Sequence, residues 1–90
     1  MPACEITIIN KLGLHASAAA KVDGAAGRVP CQVRLGRTPE SLVDGKSIMA
    51  VMMLAAGKGT SIHLSTSGEQ EDEALTAVFE LINNYFDEGE

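Results

Sequence analysis

The sequence predicts an α+β fold, a two-layer open-faced sandwich with helices on one face of an antiparallel sheet. Three observations lead there. Short, β-branched alternating runs are interleaved with stretches of helical spacing in the order β-α-β-β-α-β-α. The helical stretches are read as burying one face each, which suits a sheet covered on one side only. Finally, 90 residues, 46% hydrophobic and 21% charged, fit one small globular domain spanning 1–90, since independent domains rarely divide below roughly 100 residues. Aromatics make up only 3% of the chain, so the core must be aliphatic.

Glu5-Ile6-Thr7-Ile8-Ile9 alternates and is β-branched, predicting a strand over 3–10 that Asn10-Lys11-Leu12-Gly13 breaks. From Ala16 to about Gly27, the positions of Ala18, Ala19, Val22, Ala25 and Ala26 have helical spacing, with a glycine near the C-terminal end. Gly24 weakens that helix by about 1 kcal/mol relative to Ala. Cys31-Gln32-Val33-Arg34-Leu35 alternates again, Gly36 and Thr38-Pro39 turn the chain, and Ser41-Leu42-Val43 returns as a short strand. After the Asp44-Gly45 turn, Ser47 is a good N-cap for an apolar helix running from Ile48 to Ala56 and closed by Gly57. Ser61-Ile62-His63-Leu64-Ser65-Thr66 is the fourth strand, with Ile62 and Leu64 inward. Glu69, Glu71, Asp72 and Glu73 complement the dipole at the start of the last helix, whose apolar stripe is Leu75, Val78, Phe79, Ile82 and Phe86.

Charge narrows the function. Residues 1–60 carry all seven Lys and Arg against four acids, and residues 61–90 carry eight acids and no Lys or Arg, giving +3 and −8 and a net −5. The acidic segment reads as a solvated helix face with a fraying tail. Net negative charge and the lack of aromatic stacking platforms argue against nucleic acid as a partner. No run approaches the ~20 apolar residues of a membrane span, and no secretory signal opens the chain. Cys4 and Cys31 lack CxxC or metal-ligand spacing, so no metal is expected and the thiols read as reduced. Together these features predict a cytoplasmic protein, and a monomer is expected.

Two residues stand out chemically. His15 precedes Ala16, Ser17 and Ala18 at a helix start, where free backbone N–H groups and the dipole favour an anion. An imidazole there can act as a nucleophile, with a phosphoryl group on it facing those donors. Ser47 follows Gly45-Lys46, but the glycine-rich remainder of a phosphate-binding P-loop is missing. The run after it (Ile48, Met49, Val51, Met52, Met53, Leu54) has no polar face, so part of it should lie on the surface as a partner-binding patch. His63, opposite Ile62 and Leu64 on its strand, faces outward and is assigned no role.

The segment Ile9-Asn10-Lys11-Leu12-Gly13-Leu14-His15-Ala16, followed about thirty residues later by Gly45-Lys46-Ser47-Ile48-Met49, resembles the HPr family, the histidine-containing phosphocarriers of the bacterial phosphotransferase system. The resemblance covers nearly the whole chain and implies a four-stranded antiparallel sheet with three helices on one face. It implies that His15 accepts a phosphoryl group on Nδ1 from Enzyme I, charged by phosphoenolpyruvate, and passes it to a histidine of an Enzyme IIA-type protein. Ala16 and Ser17 would hold the phosphoryl group. Ser47 matches the serine modified by HPr kinase/phosphorylase, and Leu14, Ile48, Met49 and Met52 would form the apolar docking surface. No cofactor is implied.

One departure matters. The family normally carries an arginine two residues after the histidine, where this chain has Ser17. A potentially bidentate, charge-assisted contact is replaced by at most one hydroxyl hydrogen bond. A second reading therefore keeps the fold but makes the protein a regulatory binding module acting through Ser47 and its apolar patch, with a weak His15 relay. An acyl carrier, suggested by small size, acidity and Glu40-Ser41-Leu42, is contradicted by the alternating strands. A stand-alone enzyme is disfavoured because one nucleophile stands without a positioned base.

Overall fold

In the computed structural model, which describes residues 3–87, the chain runs β1 (Ala3–Thr7), α1 (Ala16–Gly27), β2 (Gln32–Gly36), β3 (Val43–Asp44), α2 (Ile48–Met53), β4 (Ser61–Ser67) and α3 (Glu71–Asn83), then a 3-10 turn at Tyr85–Asp87. The strands form one antiparallel sheet in the order β1-β4-β2-β3. Ile6 pairs with Ile62 and Leu35 with Leu64, so these four side chains share the inner face. The rows between them place Glu5 beside His63 and Arg34 beside Ser65 and Asp44 on the other face. Three helices cover the inner face, and the core is aliphatic apart from Phe86.

The predicted elements exist, and their ends differ for tertiary reasons. β1 stops at Thr7 rather than at 10. Ile8 still bonds across, its N–H donating to Thr60 and its carbonyl accepting from Gly59, but the partner there is a turn and not a strand. β3 begins at Val43, later than expected. A Cβ on Gly36 would lie 2.2 Å from the Ser41 carbonyl oxygen, so at Ser41 the returning chain crosses too close over β2 to pair with it. α1 continues through Gly24 and ends at an ordinary right-handed C-cap, Arg28, without a left-handed glycine. Burial of Ala18, Ala19, Val22 and Ala26 holds the helix against that propensity cost.

α2 ends at Met53, well before the expected glycine. Ala55 takes the left-handed turn (φ 51°) in place of Gly57, and the Arg37 guanidinium donates to the carbonyls that follow the helix. Its Nε and Nη2 donate to the Leu54 and Ala55 carbonyls at 2.8 and 2.7 Å. In α3 the buried stripe is Ala74, Val78 and Ile82, an i, i+4 row with Leu75 at its edge. Phe79, expected inward, is 37% exposed. Phe86 is fully buried from the terminal turn, where the Lys21 ammonium donates to its carbonyl at 2.8 Å. The expected fraying acidic tail at 88–90 lies outside the described residues. No described helix is long and apolar enough to cross a membrane.

Candidate functional site

The site is built at the N-terminus of α1. His15 is its N-cap, extended at φ −75° and ψ 179°, and its ring Nδ1 accepts a hydrogen bond from the Ser17 backbone N–H at 3.2 Å. An accepting Nδ1 has its lone pair in the ring plane, so the neutral imidazole carries its proton on Nε2. The helix proper begins with the Ala19 N–H donating to the His15 carbonyl at 2.8 Å. The N–H groups of Ala16, Ser17 and Ala18 therefore have no carbonyl within the helix. Ala16 and Ser17 are exposed and His15 is half-buried, so this donor-rich corner opens to solvent.

A pedestal holds the loop that leads into His15. Asn10 is fully buried and bridges the preceding loop, donating Nδ2 to the Gly13 carbonyl at 2.8 Å while its backbone carbonyl accepts from the Gly13 N–H at 3.3 Å. Its Oδ1 is buried without a hydrogen-bond partner. Gly13, at φ +67°, lies against the chain leaving α2, with room for no side chain there. Leu14 N–H donates to the Ala56 carbonyl at 2.9 Å, which ties the residue before His15 to the end of α2. Arg37, gripping Leu54 and Ala55 one step upstream, holds the other side of that joint.

α2 presents the apolar surface beside this corner. Ser47 caps it as expected, Oγ accepting from the Ala50 N–H at 3.3 Å, and it is half-buried. Of the six helical residues only Val51 is buried. Ile48, Met49, Met52 and Met53 are 40%, 72%, 41% and 80% exposed. The apolar run that could not all be buried is thus largely on the surface.

Leu14 is corrected. At 5% exposure it belongs to the core and cannot offer its side chain to a partner. Leu12, 70% exposed in the same loop, and Met53 occupy the surface instead. The signal for Leu12 was available, as an apolar residue in an otherwise polar breaker segment, whereas nothing local marks Asn10, Gly13 or Arg37 as a pedestal. Lys21, Arg28 and Arg37 are the cations to compare with the family arginine that Ser17 replaces. Lys21 reaches Phe86 and Arg37 reaches the end of α2, while Arg28 sits at the far end of α1 from His15. Ser17 itself lines the corner through its backbone N–H. His63 lies on the outer sheet face, Nε2 3.5 Å from Glu5 Oε2. Burial pushes the Cys4 thiol pKa up. Among the described residues no group of His, Cys, Asp or Glu could hold a metal ion.

Fold and site together define a small open-faced sandwich that offers an imidazole lone pair at a helix N-terminus beside an exposed apolar helix. A family model described as the PTS HPr component phosphorylation site matches residues 3–84. The chain is 81% identical to phosphocarrier protein HPr of Pseudomonas aeruginosa over 90 residues, 100% of both chains. It is 74% identical to that of Pseudomonas putida over the same span, again 100% of both chains. HPr of Thermoanaerobacter tengcongensis superimposes with a TM-score of 0.90 at 36% identity, covering 98% of both chains. The chain belongs to the HPr family, the phosphocarriers of the bacterial phosphotransferase system.

Proposed function

We propose that the chain acts as a single-domain cytoplasmic carrier whose phosphoacceptor is Nδ1 of His15. It receives the group from phosphorylated Enzyme I and delivers it to Enzyme IIA-type proteins. The observation that carries the reading is the Nδ1 lone pair held against the Ser17 N–H at the start of α1. In the transfer, Nδ1 attacks phosphorus, the bond from phosphorus to the donor breaks, and the donor leaves with that electron pair. The Nε2 proton stays in place, so no base is needed. The N–H that meets Nδ1 then faces a phosphoryl oxygen, joined by the neighbouring helix-start donors. Leu12, Ile48, Met49, Met52 and Met53 form the docking surface that brings partners to this corner, and Leu14 supports it from the core. The carrier supplies position, while the partners supply the remaining stabilisation.

Incubation with phosphoenolpyruvate and Enzyme I tests this, followed by intact mass. The expected result is an acid-labile gain of one phosphoryl group that His15→Ala abolishes. An adduct that survives His15→Ala, or none on folded protein, refutes the assignment.

A second reading rests on the half-buried Ser47 hydroxyl capping α2 at the edge of the apolar surface. Modification there by HPr kinase/phosphorylase would set a dianion beside Ile48 and Met49 and oppose apolar docking. Binding to a regulatory partner that depends on Ser47 and persists in His15→Ala would favour this role.

A further inference from the structure

The docking surface is rich in thioethers. Half of the six residues of α2 are methionine. Met49 and Met53, one helical turn apart, are its outermost side chains at 72% and 80% exposure. Met52 is shielded to 41% exposure by its position nearer the body. The other sulfurs of the described residues are guarded. Cys31 is 3% exposed, and Cys4 is half-buried on β1 with its thiol held protonated by burial. A peroxide reacts with the thiolate and not the thiol, and reaches buried sulfur slowly. Among the described residues, the exposed oxidisable sulfur is therefore concentrated on the docking surface.

We propose that Met49 and Met53 are a reversible oxidation site: a peroxide-class oxidant converts their thioethers to sulfoxides and thereby closes the docking surface. The sulfur lone pair attacks one peroxide oxygen, the O–O bond breaks, and that oxygen's proton passes to the departing hydroxide. The products are one sulfoxide and one water, sulfur being oxidised and peroxide reduced. A sulfoxide oxygen is a strong acceptor on what was an apolar surface. Covering it without a donor carries the desolvation penalty of an unpaired polar group, so each sulfoxide should weaken docking by roughly tenfold. Methionine sulfoxide reductases, one for each epimer, return the thioether. Val51, the buried residue of the helix, carries no sulfur, so oxidation leaves the packing of α2 intact.

The inference rests on the docking role given to α2, and the test separates the two. The full chain is treated with hydrogen peroxide, and peptide mapping follows oxygen gain at each sulfur, with Met1 read separately. Affinity for Enzyme I is measured before oxidation, after it, and after repair by the reductases. Expected are oxygen gain at Met49 and Met53 ahead of Cys4, Cys31 and Met52, weakening of about tenfold or more, and recovery on repair. In Met49→Leu/Met53→Leu, whatever its own affinity, the ratio of treated to untreated affinity should return to about one. Oxidation at Cys4 first, or sulfoxides that leave affinity unchanged, overturns the proposal. The docking role has its own control in the untreated Met49→Glu variant. If that variant binds Enzyme I as tightly as wild type, the docking role fails. If it binds weakly while the sulfoxide form binds normally, only the oxidation site fails.

Discussion

Replacing Gly13 by alanine should damage both stability and transfer, and the structure sets the size of the effect. At φ +67° a residue with a Cβ is strained, by about 1–2 kcal/mol. The added carbon would sit 2.3 Å from the Ala56 carbonyl oxygen and 2.7 Å from the Gly57 Cα. Both are backbone atoms that cannot rotate away, so the two loops must part. Parting them stretches the 2.9 Å bond from Leu14 N–H to that same Ala56 carbonyl. Leaving those groups unpaired costs about 1–3 kcal/mol. Together these give a loss of about 3 kcal/mol, a large share of the stability of a domain this size. The thermal midpoint should fall by roughly 10–20 °C. Urea titration followed by circular dichroism measures the loss, and phosphoryl transfer at low temperature reports on His15. The control is Gly24→Ala, whose Cβ meets nothing within 4 Å in the interior of α1. That change should stabilise by about 0.5–1 kcal/mol. A Gly13→Ala loss below about 1 kcal/mol with unchanged transfer would refute the pedestal.

Other outcomes follow from the same contacts. Ser47→Ala removes the cap on the Ala50 N–H and should lower stability by about 1 kcal/mol in denaturant titrations. Arg37→Ala frees the Leu54 and Ala55 carbonyls to water. It should lower stability by only about 1 kcal/mol because the site is exposed, yet shift the His15 ring signals in nuclear magnetic resonance spectra; unmoved signals would detach Arg37 from the pedestal. Ser17→Arg adds a charge-assisted donor beside the phosphoryl group and should speed transfer from Enzyme I by about tenfold, whereas an unchanged rate would show the guanidinium dispensable here. Since burial raises the Cys4 thiol pKa, its alkylation at neutral pH should be slower than that of a free thiol. Above the ordinary thiol pKa the unfolded chain loses a proton that the folded chain keeps, so this contribution to stability declines as pH rises.

Where a feature depends on neighbours a few residues apart, it was legible in the chain itself. The alternating runs of Ile6, Val33, Leu35, Ile62 and Leu64 gave the strands their inner face, because side-chain direction in a strand has period two. The Ser47 cap joins residues three apart, and His15 heads its helix through a bond to a residue two away. These are local geometries that residue type alone selects. Tertiary contact decided the rest. Leu12 and Leu14 are the same residue type two positions apart, yet one is 70% exposed and the other 5%, because only Leu14 is drawn in by the bond to Ala56. α2 ends at Met53 and not at Gly57 because Arg37, distant in sequence, takes the last carbonyls. Phe79 fell outside the buried stripe because the row Ala74, Val78, Ile82 was the one facing β4 and α1. Each such choice is a pairing between distant positions, and no local preference of either residue encodes its partner.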